Sequence, residues 1–288
     1  MKVLVIGAQG QLGQCLIPRL DGYEVVAASR SELDLSKVTN IVPYIKDISP
    51  QYVINLSAYT AVDKAESEVE LAHTINEHAV ASIAQACRDI DCPLLHVSTD
   101  FVFGGDKSEP YAVDAACQPI GAYGKSKWAG EQAIARYKPQ GSIIIRTAWL
   151  YSDVGANFML SMLRLMNQRD KLGIVSDQIG TPTSAHSLAR IIVRFLQQGG
   201  NGIYHWTDAG VASWYDFAVA IYEEGLVRGL VPPGVSIAPI TTAEYPTPAS
   251  RPAFSVLDKS RTYDAVQAPK IHWREELRQV LDRLADNS

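Results

Sequence analysis

The chain has 288 residues, 47% hydrophobic and 20% charged, so it can bury a sizeable core and suits one large α/β unit or a large domain with a small one. A formal charge of -5 without a basic tract argues against a nucleic-acid partner, and no apolar run approaches the about 20 residues of a membrane span. Met1 leads straight into an apolar strand, which leaves no room for a signal peptide and predicts a cytoplasmic protein.

Residues 2–6 read as a buried strand that runs into Gly7-Ala8-Gln9-Gly10-Gln11-Leu12-Gly13, with a helical pattern over residues 11–20. Glycines at this spacing allow a tight turn and close approach of the backbone to a pyrophosphate, and the helix start offers free N–H groups, so Gly7, Gly10, Gln11, Leu12 and Gly13 are candidate dinucleotide contacts. Residues 23–28 form a second strand ending at Ser29-Arg30, where a dinucleotide fold selects its cofactor. A carboxylate here binds a ribose 2′-hydroxyl, whereas Arg30 offers a two-pronged contact to a 2′-phosphate, so the expected cofactor is NADPH, with NADH as the alternative.

Residues 52–57 give a third strand, and Ala58-Tyr59-Thr60 at its carboxyl end occupies the crevice position where doubly wound sheets bind ligands. A long helix follows over 67–90, with Asn76 inside it as a backbone brace and His73 and His78 at its surface. Residues 94–97 form the fourth strand, delivering Ser98-Thr99-Asp100 to the same edge. A loop over 104–119 precedes a helix over 123–137, and residues 142–151 form another strand.

The helix over 123–137 opens with Tyr123-Gly124-Lys125-Ser126-Lys127, which sets a phenol and an ammonium one turn apart on one face. The cation stabilises a phenolate, making the two a proton-transfer pair, and a hydroxyl from Ser98 or Thr99 completes a trio. Beyond residue 152 the alternation weakens. Helices are expected over 157–168 and 187–197, a turn-rich stretch over 177–183, a late strand over 202–206 and a final helix over 274–284, among many prolines. The fold class is α/β, a doubly wound parallel sheet of Rossmann type with a small mixed C-terminal lobe. Residues 1–152, rejoined by about 180–215, form the dinucleotide-binding domain, and 153–288 mainly the substrate-binding lobe.

The Gly-x-x-Gly-x-x-Gly loop together with Tyr-x-x-x-Lys resembles the extended short-chain dehydrogenase/reductase superfamily, which implies adenine contacts at Asp34 and Leu35, although Asp34 equally suits a local turn. Within it, Ala58 to Glu66, Ser98 to Phe103, Tyr123 to Lys127, Arg146 to Tyr151 and Pro248 to Pro252 resemble the dTDP-4-dehydrorhamnose reductase family in matching order. The strings Val62-Asp63-Lys64-Ala65-Glu66 and Ser250-Arg251-Pro252 are the more discriminating ones. The resemblance implies reduction of the 4-keto group of a dTDP-linked 4-keto-6-deoxy sugar to dTDP-L-rhamnose. Tyr123 would donate the proton, Lys127 would lower its pKa and hold the nicotinamide ribose, and Thr99 would tune the phenol. Substrate contacts are implied for Thr99, Asp100, Trp149, Asn157 and Arg251. Trp149 suits a core role as well, and Arg251 would hold the diphosphate with its fork of donors. Asp258 is expected to brace the lobe.

Two departures stand out. Positions matching a magnesium site of some family members are Cys15 and the His186-Ser187 region, which supply no oxygen cage, so no metal and no metal-bridged dimer are expected; the protein is expected as a monomer or homodimer. The four cysteines, Cys15, Cys87, Cys92 and Cys117, read as reduced structural thiols. Phe254 stands where the family often has a polar residue after the Arg-Pro pair, which bears on the shape of the nucleotide pocket that the resemblance implies. The rival functions are another nucleotide-sugar reductase or epimerase, and a non-catalytic dinucleotide-binding subunit like the beta subunit of methionine adenosyltransferase, which would have no need of a tuned phenol.

Overall fold

The computed structural model describes residues 1–137 and 139–286; the last two residues of the expected lobe, 287 and 288, lie outside them. Strand β1 (Lys2–Ile6) shows why the sheet is central. Val3 and Val5 enter one apolar core while Leu4 and Ile6 enter another, as period-two alternation dictates when both faces are covered. Helix α1 (Gln11–Leu16) leads to β2 (Glu24–Ala28), then α2 (Ile41–Ile48) to β3 (Tyr52–Asn55). Short α3 (Val62–Ala65), α4 (Val69–His73) and α5 (Ala79–Asp89) precede β4 (Leu94–Thr99), and α6 (Ala122–Tyr137) precedes β5 (Ile143–Thr147).

After β6 (Leu150–Tyr151) come α7 (Phe158–Met166), β7 (Lys171–Val175), β8 (Ile179–Gly180), β9 (Thr183–Ser184) and α8 (Ala185–Gln198). Then follow β10 (Gly202–His205), β11 (Ala212–Ser213), α9 (Trp214–Val227), β12 (Ser236–Ile240), α10 (Ser260–Val266) and α11 (Trp273–Asp286). The main sheet has six strands in the order β10-β5-β4-β3-β1-β2, all parallel. Strand order reverses between β1 and β3, so the ligand crevice lies above the carboxyl ends of these strands. Helices α1 and α8 share one core with the sheet, and α2, α5 and α6 share the other. A third core unites α7, α9 and α11 with the parallel pair β7 and β12. The expected late strand therefore is real: β10 pairs with β5 in register Gly202 to Ile143.

Three expectations change. The helix over 67–90 is interrupted by a π turn at Thr74–His78, where Asn76 is buried and its carbonyl oxygen lies where a Cβ on Gly130 of α6 would sit, 2.1 Å away. Glycine at 130 is what lets the two helices meet there. The strand over 142–151 stops at Thr147 because Trp149 takes a left-handed φ of 47°, after which β6 pairs with β9. Four segments without a clear sequence period, β7, α9, β12 and α10, are regular elements of the lobe and its border.

Candidate active site

One cavity of about 870 Å³ runs along the carboxyl edge of the sheet and takes its walls from the first glycine loop, the end of β2, the end of β4, helix α6 and the lobe. At its floor Gly7 has φ +88°, and a Cβ there would come within 2.6 Å of Ser57 Oγ; a Cβ on Gly13 would meet the Ala8 carbonyl at 2.4 Å. Gly10 stands at the start of α1 with no side chain to cap it, which leaves the first helical N–H groups facing the space beside Gln11 and Leu12.

At the end of β2, Arg30 and Asp34 line the cavity, joined by a loose ion pair of 3.7 Å in which the Arg30 side chain is 82% exposed. Leu35 lines it too. An acid that the sequence reading missed is also here. Glu32 folds its carboxylate back onto the Ser29 N–H at 2.9 Å and onto the Ser29 hydroxyl, and these bonds, with that of Ser31, hold its carboxyl down to about 2. The signal was its place three residues after Ser29, the spacing of a local side-chain-to-backbone turn.

Ala58 and Thr60 line the cavity, but Tyr59 does not: its hydroxyl donates to Glu68 at 2.6 Å outside it. Its backbone is fixed on both sides by Asn76, whose Oδ1 accepts the Tyr59 N–H at 2.8 Å and whose Nδ2 donates to the Tyr59 carbonyl at 3.1 Å. The brace expected of Asn76 thus holds the β3 loop, and through a 3.0 Å bond to Ser126 it also touches α6.

Tyr123, Lys127, Thr99 and Asp100 meet in the same cavity. Helix α6 that carries the first two starts where Glu66 accepts the Ala122 N–H at 2.8 Å, a remote cap supplied by the string singled out above. Of the two candidate hydroxyls, Ser98 is engaged by Glu131 at 2.5 Å, which is itself locked to Arg146 of β5 at 2.7 Å; Thr99 is the one that acts on Tyr123. Breaking one partner out of that fully buried ion pair would cost about 3–5 kcal/mol. Burial pushes the Tyr123 phenol up to about 12, with the Thr99 hydroxyl opposing and Asp100 reinforcing the rise. The expected lowering by Lys127 is absent from this state, for a geometric reason: Lys127 Nζ donates to the Val97 carbonyl at 2.7 Å and lies 3.3 Å from His96 Nε2. Burial also lowers Lys127 to about 8, against Glu131, and raises Asp100 to about 6.

Trp149 lines the cavity with its ring stacked on Trp214 at 3.6 Å between centroids and 9° between planes. Gly180 makes room for it, since a Cβ there would sit 2.7 Å from the indole. Trp214, which also lines the cavity, was not found from sequence because the helix it opens was not. Arg251 lines the cavity with its guanidinium clasped by Asp63. Asn157 stays outside the wall and caps α7, accepting the Leu160 N–H at 3.0 Å and donating to the Ser152 carbonyl at 2.8 Å. Phe254 packs near Val102, Phe103, Tyr111 and Leu257, away from the cavity, and Asp258 caps the turn before α10 through Ser260 at 2.7 Å.

Cys15, Asp153 and His186 bring a sulfur, a carboxylate oxygen and a ring nitrogen within 4.8 Å of one another. His186 Nε2 is 2.7 Å from Asp153 Oδ1, while Arg19 lies 3.2 Å from Nδ1; burial, helped by Asp153, pushes the Cys15 thiol up to about 11. Ser187 accepts the Trp206 indole N–H at 3.1 Å. This is a mixed soft donor set with one carboxylate, and it differs from the oxygen cage that a hard cation takes. Among the described residues no helix is long and apolar enough to cross a membrane.

Comparison with known proteins agrees with this geometry. The family model described as RmlD substrate binding domain matches residues 1–286. The chain is 39% identical to the dTDP-4-dehydrorhamnose reductase of Aggregatibacter actinomycetemcomitans, over 97% of this chain and 98% of that protein. The crystal structure of a dTDP-4-dehydrorhamnose reductase from Clostridium acetobutylicum superposes with a TM-score of 0.92 at 37% identity, covering 99% of both chains. That of the Bacillus anthracis dTDP-4-dehydrorhamnose reductase in complex with NADP gives 0.91 at 32% identity, covering 100% of this chain and 99% of the other.

Proposed function

The chain belongs to the RmlD substrate binding domain family of dTDP-4-dehydrorhamnose reductases, and from that premise we propose that it reduces the 4-keto group of dTDP-4-dehydro-6-deoxy-L-mannose to give dTDP-L-rhamnose, with NADPH as reductant. The observation that carries this is the convergence of Thr99, Tyr123 and Lys127 on one cavity with the Gly7 to Gly13 loop. The loop fits a dinucleotide: Gly7 and Gly13 occupy places that no Cβ can take, and the uncapped start of α1 faces the space a pyrophosphate needs. Bound NADPH supplies the hydride that adds to carbon 4.

The chain's own residues do the rest. Tyr123 gives its hydroxyl proton to the oxygen that becomes the sugar hydroxyl, and the Thr99 hydroxyl, which donates to Asp100 at 3.1 Å before the reaction, turns to the phenolate and steadies the charge left behind. Lys127 supplies the positive charge that the phenolate needs and, with Gln11, Leu12, Arg30, Asp34, Leu35, Ala58 and Thr60, forms the cofactor wall. Trp149, Asp100 and Arg251 form the sugar-nucleotide wall. Residues 1–152, rejoined by about 180–215, act as the dinucleotide-binding domain and the remainder mainly as the substrate lobe. The protein works in the cytoplasm as a monomer or homodimer. The test is NADPH oxidation with dTDP-4-keto-6-deoxyglucose in the presence of a 3,5-epimerase. Turnover that needs both the sugar and the epimerase supports the assignment; no oxidation with that pair refutes it.

A further inference from the structure

We propose that His96, held in one tautomer by Asn55, is a positioning residue that sets whether Lys127 stands as amine or ammonium, and so readies it to return a proton to Tyr123; this rests on the reductase reading above. Asn55 closes β3 and is fully buried. Its Oδ1 accepts the Ser57 N–H at 3.1 Å, which turns the amide nitrogen toward His96 Nδ1 at 3.0 Å. An amide nitrogen only donates, so Nδ1 is the acceptor and the single proton of a neutral ring sits on Nε2. The ring is neutral: burial holds it well below the ordinary histidine range, and the charge of Lys127 acts in the same direction.

That Nε2–H meets Lys127 Nζ at 3.3 Å, a nitrogen that already donates to the Val97 carbonyl at 2.7 Å. Against an ammonium, two donors confront each other. Against an amine, the Nε2–H finds a lone pair. The tautomer therefore favours the amine, and Glu131, one turn further along α6, favours the ammonium. The Glu131 charge is divided among Arg146 and Ser98, and Tyr123 and Asp100 are the other titratable groups on this part of the cavity. During reduction Tyr123 loses its O–H proton to the substrate oxygen, and one N–H proton of Lys127 passes to the phenolate by way of an intervening water, which gives one proton and takes one, since Nζ itself is held at Val97 and His96. The lone pair that this leaves on Nζ is met by the His96 Nε2–H, and a proton from water recharges the amine.

Asn55→Asp tests this, because a carboxylate in place of the amide nitrogen accepts where the amide donates. The imidazole proton should move to Nδ1, and Nε2 then offers Lys127 a lone pair that favours the ammonium. Nitrogen-15 NMR of the full-length protein labelled at histidine reads the tautomer without turnover. We expect the His96 proton on Nε2 in wild type and on Nδ1 in Asn55→Asp. The alkaline limb of kcat/KM should rise by about one pH unit in the variant, and by less when the same change is made in His96→Leu, where only the through-space charge remains. A wild-type ring protonated on Nδ1 overturns the proposal even if Asn55→Asp does not fold, and so does an equal shift in both backgrounds. No NADPH oxidation by a wild-type protein that shows the expected tautomer sinks the reductase reading, and the proposal with it, by a result unlike either of these.

Discussion

Asp63 and Arg251, 188 residues apart in the chain, are joined by two hydrogen bonds, Nη1 to Oδ1 at 3.1 Å and Nη2 to Oδ2 at 2.9 Å. Each lies in one of the two strings that set this sequence apart from dinucleotide folds in general, and the pair ties the glycine-loop half of the cavity to the lobe. The Arg251 side chain beside it holds the Asp63 carboxyl below the usual carboxylate range. With one edge of the guanidinium fixed, the rest of it is oriented rather than free.

Arg251→Ala should therefore raise KM for the dTDP-sugar about tenfold or more while leaving KM for NADPH nearly unchanged. Arg251→Lys should recover little, since a single ammonium cannot take both carboxylate oxygens and still present a donor to phosphate. Steady-state kinetics with each substrate varied separately checks this; equal changes in both KM values would mean that Arg251 only supports the lobe.

Tyr123→Phe should keep cofactor affinity and lower kcat by about two to four orders of magnitude, the scale of a lost general acid. NADPH binding followed by fluorescence, beside single-turnover reduction, separates the two effects. An unchanged rate would remove Tyr123 as the proton donor.

Lys127 is 1% exposed and its burial lowers its pKa from 10.5 to about 8. Between these values the unfolded chain binds more protons than the folded one, so the sign is that stability from this group rises with pH through that window; below about pH 8 the buried charge costs on the order of 3 kcal/mol. Lys127→Met should be inactive yet unfold at a higher temperature than wild type at pH 7, with the gap narrowing toward pH 10. Thermal scans across pH test this, and a variant less stable at pH 7 would show that the bonds to Val97 and His96 outweigh the burial of charge.

The glycine loop, the sheet strands and the Tyr123–Lys127 pair were legible in the sequence because each rests on short-range rules: period-two burial in β1, missing Cβ atoms at Gly7 and Gly13, one helical turn between phenol and amine. Asn76 was legible as a polar group inside an apolar helix, though not the π turn that aims it. What the sequence hid depends on long-range packing. Glu66 capping α6, Asp63 meeting Arg251, and Asn157 spent on the start of α7 rather than on the cavity are set by tertiary contact. The lobe strands β7 and β12 pair across about 60 residues of intervening chain, beyond any local period.

NADPH should be preferred over NADH, and Arg30→Ala should lose kcat/KM selectively for NADPH. Among the described residues Arg30 is held by a 3.7 Å ion pair to Asp34 alone and its side chain is 82% exposed, so it can close on a 2′-phosphate, whereas the Glu32 carboxylate is tied down by Ser29 and Ser31. Glu32→Gln should widen the preference further by removing a negative charge near that phosphate. Equal kcat/KM for the two cofactors in wild type, or equal losses in Arg30→Ala, would reject the assignment.

Activity should not require magnesium. Arg19 donates toward His186 Nδ1 at 3.2 Å, and a guanidinium can only donate, so the imidazole proton sits on Nε2 and is given to Asp153 at 2.7 Å. A metal on Nε2 would have to displace that proton and turn an Nδ1–H against the guanidinium. It would also need the Cys15 thiolate, which burial opposes by pushing the thiol up to about 11. Magnesium is poorly suited to such a place, since it demands near-octahedral oxygen and, of these three side chains, Asp153 alone supplies an oxygen. Exhaustive EDTA treatment should leave both the rate and the sedimenting mass unchanged. A rate restored specifically by magnesium after chelation, or a mass that shifts with it, would show that Arg19 moves aside and that Asp153 belongs to a shared metal contact between subunits.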